Sequence, residues 1–426
     1  MDDRRPATGA RHTSAHCHDS PSSRPTSDQG RPRAGLPTSP ATVSVTAARE
    51  EAADVSATEF RAAHLAHRDW RHVVDGCREQ LGATPGGGLG ILYVTDALAG
   101  DLPAMLPRLR ESTGVEHWVG TVGFGVCASG REYFDQPAAA MLVASLPPEQ
   151  FRVFASADAA GQDFRRDHGP WCERAGPCVA LVHGDPRSPA LLAQLRCVAD
   201  AAGPGFLVGG VAASRGPLPQ VADAVVEGGL SGVVLSRDVT VATRLTQGCV
   251  PIGPRREITA CRRNVVQEID GRPALEVFDE DAGELIARDR QRAAGFIHAA
   301  LPLAGVDTGD YLVRNIVGLD VERRLVAISD VVEPGSAIVF CRRDAASALE
   351  DLGRMADRAR GAVPAPRAAL YHSCVARGPN LFGPGGHELG VLRERLGDVP
   401  LAGFFGNGEI CNARLYAYTG VLTLFT

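Results

Sequence analysis

The chain has 426 residues, enough for two domains, and a formal net charge of −6, with 22% charged and 44% hydrophobic residues. So mild a charge gives no reason to expect binding to nucleic acid or to a bilayer, and no apolar stretch approaches the roughly 20 residues of a membrane span. The 11 cysteines are odd in number and lack paired spacing, so they read as reduced thiols. The first residues, Met1-Asp-Asp-Arg-Arg-Pro, carry no apolar signal core, so a cytoplasmic protein is expected.

Residues 1–56 read as a disordered tail. The first 45 or so are rich in Pro, Ser, Thr, Arg and Gly and cannot bury enough apolar surface to offset their ordering entropy. His12, His16, Cys17 and His18 lie close together there and read as incidental rather than as a metal site. His64 and His67, at i, i+3 spacing, read as surface residues of a helix. The strand Leu89–Thr95 then leads into a helix with Leu102, Met105, Leu106 and Leu109 on one face. His117-Trp-Val-Gly-Thr-Val-Gly-Phe-Gly125 follows, and then the strand Ala139–Ala144.

The same order returns at Cys178–His183. A helix predicted to start at Ser188-Pro189 carries Leu191, Leu192, Leu195 and Val198. Phe206-Leu-Val-Gly-Gly-Val211 and the strand Ser231–Ser236 complete it. After about residue 250 the pattern changes. Val239–Leu245 and Arg256–Cys261 read as strands, and Asn264–Phe278 as a hairpin turning at Asp270-Gly271. A helix is expected from about Ala282 to Ala300, then strands Tyr311–Leu319, Arg324–Ser329 and Ser336–Cys341 as an antiparallel meander. Asp344 caps a further helix with Leu349, Leu352 and Met355. A third strand–helix–glycine-turn–strand series runs from Ala368–Cys374 to Tyr418–Phe425. The expected fold is therefore α/β: repeated βαβ units in two mixed or mainly parallel sheets, with an antiparallel meander in the C-terminal half. Domains are expected at 57–250 and 251–426.

Ligands of such sheets bind beyond the carboxyl ends of the strands. All three glycine turns follow a strand, so they are expected on one edge. None fits the dinucleotide fingerprint in full, and no phosphate loop is present. The turn Gly403-Phe-Phe-Gly-Asn-Gly-Glu409 offers Phe405, Gly406, Asn407, Gly408 and the acid Glu409. The turn after the preceding strand offers Cys374, Arg377 and Gly378. Arg377 suits a carboxylate and Glu409 suits an ammonium, so an amino-acid-like ligand between the two turns is expected. The competing reading pairs the two with each other. Arg314 and Asn315 are unusual polar residues in a strand and join the candidate ligand set. His183 and His372 occupy equivalent places at the ends of two first strands. Cys374 with His372 is the candidate for a thiol-dependent enzyme. That reading lacks a third, orienting group, so binding without chemistry is expected.

Four segments resemble the FIST family of sensory proteins, built from an N-terminal and a C-terminal FIST domain. They are Leu312-Val-Arg-Asn-Ile-Val-Gly-Leu-Asp320, Ser373-Cys-Val-Ala-Arg-Gly378 with Leu381-Phe-Gly383, Gly403-Phe-Phe-Gly-Asn-Gly-Glu-Ile410 and Tyr418-Thr-Gly-Val-Leu422. The first half departs from the family pattern: Thr121 stands where members often carry cysteine, and Val126 follows Gly125 where a Gly-Glu pair is usual. The resemblance implies a bacterial intracellular sensory domain for small ligands, with signal transduction through a separate output protein. It also implies an alternative, a non-covalent haem-based sensor of nitric oxide with His183 or His372 as the iron ligand. No Cys-x-x-Cys-His attachment motif is present.

Overall fold

A computed structural model describes residues 58–84, 88–158, 160–176, 178–203, 206–283, 296–303 and 311–426. The expected disordered tail, with its His and Cys cluster, lies outside the described residues. The architecture is α/β with mixed sheets. There are four sheets among the described residues rather than two, and antiparallel pairing predominates.

Three of the sheets share one strand order. In the first, Phe60–Ala66, Ala138–Ala144, Leu89–Thr95 and His117–Gly123 lie side by side, with the hairpin Gln220–Ala222/Ala224–Val226 at the edge. In the second, Phe151–Ser156, Leu230–Leu235, Val179–Gly184 and Phe206–Val211 are extended by Glu409–Cys411/Arg414–Tyr416. In the third, Val241–Gln247, Thr419–Phe425, Ala368–Cys374 and Leu401–Gly406 are extended by Gly125–Ala128/Arg131–Phe134. The central pair of each sheet is parallel, Leu89 against His117, Val179 against Phe206 and Ala369 against Leu401. The helices Leu102–Thr113, Leu191–Ala201 and His387–Leu396 lie in the connections, as a parallel crossover requires. Each edge hairpin follows the second parallel strand of a different sheet. The glycine turns are thus the points where the chain leaves one sheet and enters the next. These exchanges cross the boundary expected at residue 250, since Gly125–Ala128 pairs with Leu401–Gly406 and Glu409–Cys411 with Phe206–Val211.

The alternation of the strands sorts the core. Leu89, Ile91 and Tyr93, Leu181, and Ala368 and Leu370 face one shared apolar centre with Val208, Ala402 and Phe404. The opposite faces are covered by helices. Trp70–Leu81 and Leu102–Thr113 cover the first sheet, Gln162–Ala175 and Leu191–Ala201 the second, and Ala345–Ala362 and His387–Leu396 the third.

Several local expectations need correction. Phe60–Ala66 is a strand, so His64 lies on a strand, and its Nδ1 shares a hydrogen bond with Tyr133 Oη at 2.6 Å. The helix starts after it, at Trp70, where the Asp69 side chain accepts from Arg71 N. Ser188 does not cap its helix, which begins at Leu191. Asp344 does cap the helix Ala345–Ala362, accepting from Ser347 N at 2.8 Å. The hairpin at Asp270-Gly271 has a return arm of two residues, Arg272–Pro273, and then becomes the helix Ala274–Ala282. The helix expected from Ala282 falls largely outside the described residues, and positions 297–300, expected at its end, belong to the strand Ile297–Pro302. The meander is part of a closed barrel. Ala337–Arg343, Arg256–Arg262, Val265–Ile269, Leu325–Ile328, Tyr311–Asp320 and Ile297–Pro302 pair in that order, and the last returns to the first. Closure leaves no free edge among those six. The helix Ala274–Ala282 packs Leu275, Val277 and Phe278 against Ile258, Val266, Val326 and Phe340 of the barrel strands. Among the described residues no helix is long and apolar enough to cross a membrane.

Candidate functional site

The strand Ala368–Cys374 is buried along its whole length. It ends in a tight turn in which Arg377 N donates to Cys374 O at 2.8 Å, and Gly378 follows with φ 51°. The turn folds Arg377 inward until its side chain is fully buried. Burying a guanidinium requires a counter-charge. Glu388, in the first turn of the helix His387–Leu396, supplies it: Arg377 Nε donates to Glu388 Oε1 at 2.8 Å. Glu388 also accepts from Tyr371 Oη (2.7 Å), Ser373 Oγ (3.2 Å to Oε2) and Gly378 N (2.8 Å). This carboxylate is fully engaged. The arginine is not, because neither Nη1 nor Nη2 has a hydrogen-bond partner among the described residues.

Glu409 opens the short strand Glu409–Cys411, opposite Gly210. It is also fully buried. Its Oε2 accepts from Thr419 Oγ1 at 2.6 Å and from Thr419 N at 3.3 Å, while Oε1 has no partner among the described residues. Burial pushes its pKa well above the ordinary carboxylate range, although the Thr419 donors and the Arg377 charge oppose this. Glu409 is therefore a buried acid near an arginine that is paired elsewhere. The expected competition between Arg377 and Glu409 for each other is resolved by a third residue, Glu388.

Cys374 faces the same cluster. Burial first, and then the Glu409 charge, push its thiol up to about 12. The lowering expected from Arg377 is present but weaker, so this is not an activated nucleophile. His372 bonds elsewhere. Its Nε2 meets Tyr93 Oη at 2.9 Å, and His183 Nε2 meets the same hydroxyl at 3.2 Å. All three side chains are buried around Phe404, whose ring centroid is 4.8 Å from that of Tyr93. Burial holds His183 well below its usual range and His372 at about 3, so both rings are neutral. The pair does not fit haem. Both Nε2 atoms are turned onto one phenol inside the packed centre of three sheets, so neither is free to take an iron. Among the described residues no group of three or more His, Cys, Asp or Glu could hold a metal ion.

The remaining candidates separate. Phe405 points away from Phe404 and packs on Phe134 at 4.5 Å between centroids. A Cβ on Gly378 would lie 3.0 Å from the Phe405 ring, so Phe405 does wall the Arg377 turn. Gly406 is pressed on Val211 O, where a Cβ would come within 2.4 Å. Asn407 N donates to Val211 O and Val211 N to Gly408 O, both at 2.9 Å. Phe124 N donates to Phe405 O and Ala213 N to Val122 O, both at 3.1 Å. The three glycine turns are thus gathered, as expected, but they bond to one another. Their glycines admit backbone, not an open pocket. Arg314 Nε donates to Asp330 Oδ2 at 2.6 Å on the barrel. Asn315 accepts from the hydroxyl of Tyr418, the residue before Thr419. Both lie beside the Glu409 turn rather than at Arg377.

Glu388, Tyr371, Ser373, Glu132, Thr419 and Tyr93 were not among the candidates. Glu388 had a signal: it falls on the buried stripe of its helix with Leu389, Leu392 and Leu396, where an acid needs a partner. Tyr93 occupies the fifth place of its strand, as His183 and His372 do of theirs. Glu132 comes from the edge hairpin and accepts from Leu389 N at 3.2 Å, next to Glu388. Burial and the Glu388 charge raise its pKa from 4.5 to about 7. An acid raised in this way contributes stability that is fully present below the unfolded value and is lost as pH climbs through the folded one. Stability is therefore expected to fall between about pH 4.5 and about 7. Glu132→Gln should flatten that fall in urea midpoints measured across the window. An unchanged profile in the variant would refute the assignment.

Residues 88–272 match the family model of the FIST N domain and residues 274–412 that of the FIST C domain. An uncharacterized protein of Mycobacterium tuberculosis is 31% identical over 375 residues, covering 82% of this chain and 93% of that protein. An uncharacterized protein of Mycobacterium bovis is 31% identical over 355 residues, covering 79% of this chain and 89% of that protein.

Proposed function

This chain belongs to the FIST family, whose domains are sensory and implicated in signal transduction, and from that premise we propose that it binds an amino-acid-like metabolite and signals through a separate output protein. The observation that carries this reading is the pair of unpartnered groups in one buried cluster. Arg377 keeps both terminal nitrogens unused, and Glu409 keeps Oε1 unused. A buried donor left unpaired costs roughly 1–3 kcal/mol. A ligand carboxylate satisfies both arginine nitrogens at once, in the bidentate geometry that guanidinium favours. A ligand ammonium would give Glu409 Oε1 a donor of opposite charge, which favours the ionised carboxylate. Binding would then change the electrostatic surroundings of a group on the strand that joins the third sheet to the second. That change acts where two sheets meet, which is how it would be passed to an output partner.

Ligand binding to the native state raises apparent stability, so thermal shift reads it directly. A screen of amino acids and related metabolites should find a stabilising ligand. Glu409→Gln keeps the shape and the Thr419 bond but cannot ionise, and Arg377→Lys keeps a charge but loses the fork. Both are expected to remain folded and to lose at least about tenfold in affinity, which is about 1.4 kcal/mol. Full binding in both folded variants would leave the cluster a purely structural one.

A further inference from the structure

A second cleft is lined in part by Gly248, which neighbours Arg377. The strand Val241–Gln247 and the helix Ala345–Ala362 lie side by side, and this cleft of about 250 Å³ opens where they meet. Gln247, Gly248, Ser347, Asp351, Arg354 and Arg358 are among its lining residues. Ser347, Asp351, Arg354 and Arg358 follow one another at i, i+4, i+7 and i+11, so they form a single stripe along the helix. Asp351 is consumed in joining helix to strand. Its Oδ2 accepts from Thr246 Oγ1 at 2.7 Å and from Gln247 N at 2.9 Å, and its Oδ1 lies 3.3 Å from Arg354 Nη2.

The positive side is left in excess. Arg354 is shared between Asp351 and Glu350, the latter at 2.7 Å. Arg358 has no hydrogen bond or ion pair among the described residues. Arg244 lies two residues before Thr246, on the same strand face, and among the described residues its Nη1 donates to Thr243 O alone, at 2.8 Å. Burial first, and then the Arg358 charge, work against the Arg244 proton. Arg354 and Arg358, which both line the cleft, create a field there that a counter-ion relieves. Ser347, in the first turn of the 18-residue helix, also lines the cleft, with its N–H already taken by the Asp344 cap.

We infer that this cleft binds a compact oxyanion carrying at least two negative charges, held by Arg358 and Arg354. Arginine forks suit phosphate and carboxylate oxygens alike. The ligand class is therefore a phosphorylated or polycarboxylate small molecule. The site does not rest on the Arg377–Glu409 reading. Its wall is the Gly248 backbone, where an added Cβ would lie 3.2 Å from Arg377 Nη1. The two sites are neighbours with separate side chains.

The test uses the full chain, with inorganic pyrophosphate and citrate as probes and sodium chloride at matched ionic strength as the control. Either probe is expected to raise the melting temperature above the chloride control. Arg354→Gln/Arg358→Gln is expected to remain folded and to weaken that binding at least tenfold. A response to pyrophosphate alone identifies the phosphate source, and a response to citrate identifies the polycarboxylate one. Glu409→Gln should leave the response intact, which separates failure here from failure of the amino-acid-like site. No rise above chloride for either probe, or an equal rise in the double variant, would overturn the inference.

Discussion

Replacing Glu388 with alanine is expected to destabilise the protein by about 3–5 kcal/mol, the range for removing one partner of a buried ion pair. The cost is not mainly the lost attraction. It is the guanidinium of Arg377 left in the interior, already short of partners at both terminal nitrogens. Tyr371 Oη, Ser373 Oγ and Gly378 N also lose their acceptor in the same step. Glu388→Gln keeps an acceptor and removes the charge, so its loss should be smaller. Combining Arg377→Met with Glu388→Leu removes both charges and should cost less than the sum of the single changes. Urea denaturation near neutral pH measures all of these. A loss below about 1 kcal/mol for Glu388→Ala would mean that water reaches Arg377 and that the pair behaves as a surface one.

That pair also marks how far the sequence could be read. The strands and helices around the parallel pairs were legible because their apolar residues follow periods of two and of about 3.6. Gly403, Phe405 and Glu409 drew notice for their residue types. What could not be read was who meets whom. Glu388 lies 11 positions from Arg377 in sequence and needed the helix orientation to become its partner. Glu132 arrives from a hairpin 257 positions away from Leu389, through an exchange of edges between sheets. Periodicity within a segment carries no record of such exchanges. The barrel was missed for a similar reason. Antiparallel neighbours such as Arg256–Arg262 and Val265–Ile269 are local, but closure depends on Ile297–Pro302 returning to Ala337–Arg343. The helix Ala274–Ala282 was misread because Leu275, Val277 and Phe278 follow Pro273 in an apolar run too short for its period to decide.

The glycine turns and the strands before them support a second large effect. Gly120, Gly209 and Gly403 stand in the second strands of the three parallel pairs, opposite Leu92, Val182 and Tyr371. A Cβ there would come within 1.8 Å of Leu92 O, 1.9 Å of Val182 O and 1.8 Å of Tyr371 O respectively. These obstacles are backbone atoms of the central strands, so no side-chain rotation relieves them. At Gly209 the backbone adds its own objection, with φ of 147°, where a side chain is strained whatever the space. Gly209→Ala is therefore expected to lose about 3 kcal/mol or more, from roughly 1–3 for overpacking and roughly 1–3 for the dihedral. Gly390→Ala is the matched control. It stands in the helix His387–Leu396, exposed, with nothing within 4 Å of an added Cβ. There alanine should stabilise by roughly 0.5–1 kcal/mol through helix propensity. Opposite signs for the same chemical change, read in one urea series, would assign the central glycines to close backbone packing. Equal and small effects at both positions would show that the parallel pair can move apart. The close approach would then not be what fixes the strands that carry Arg377 and Glu409.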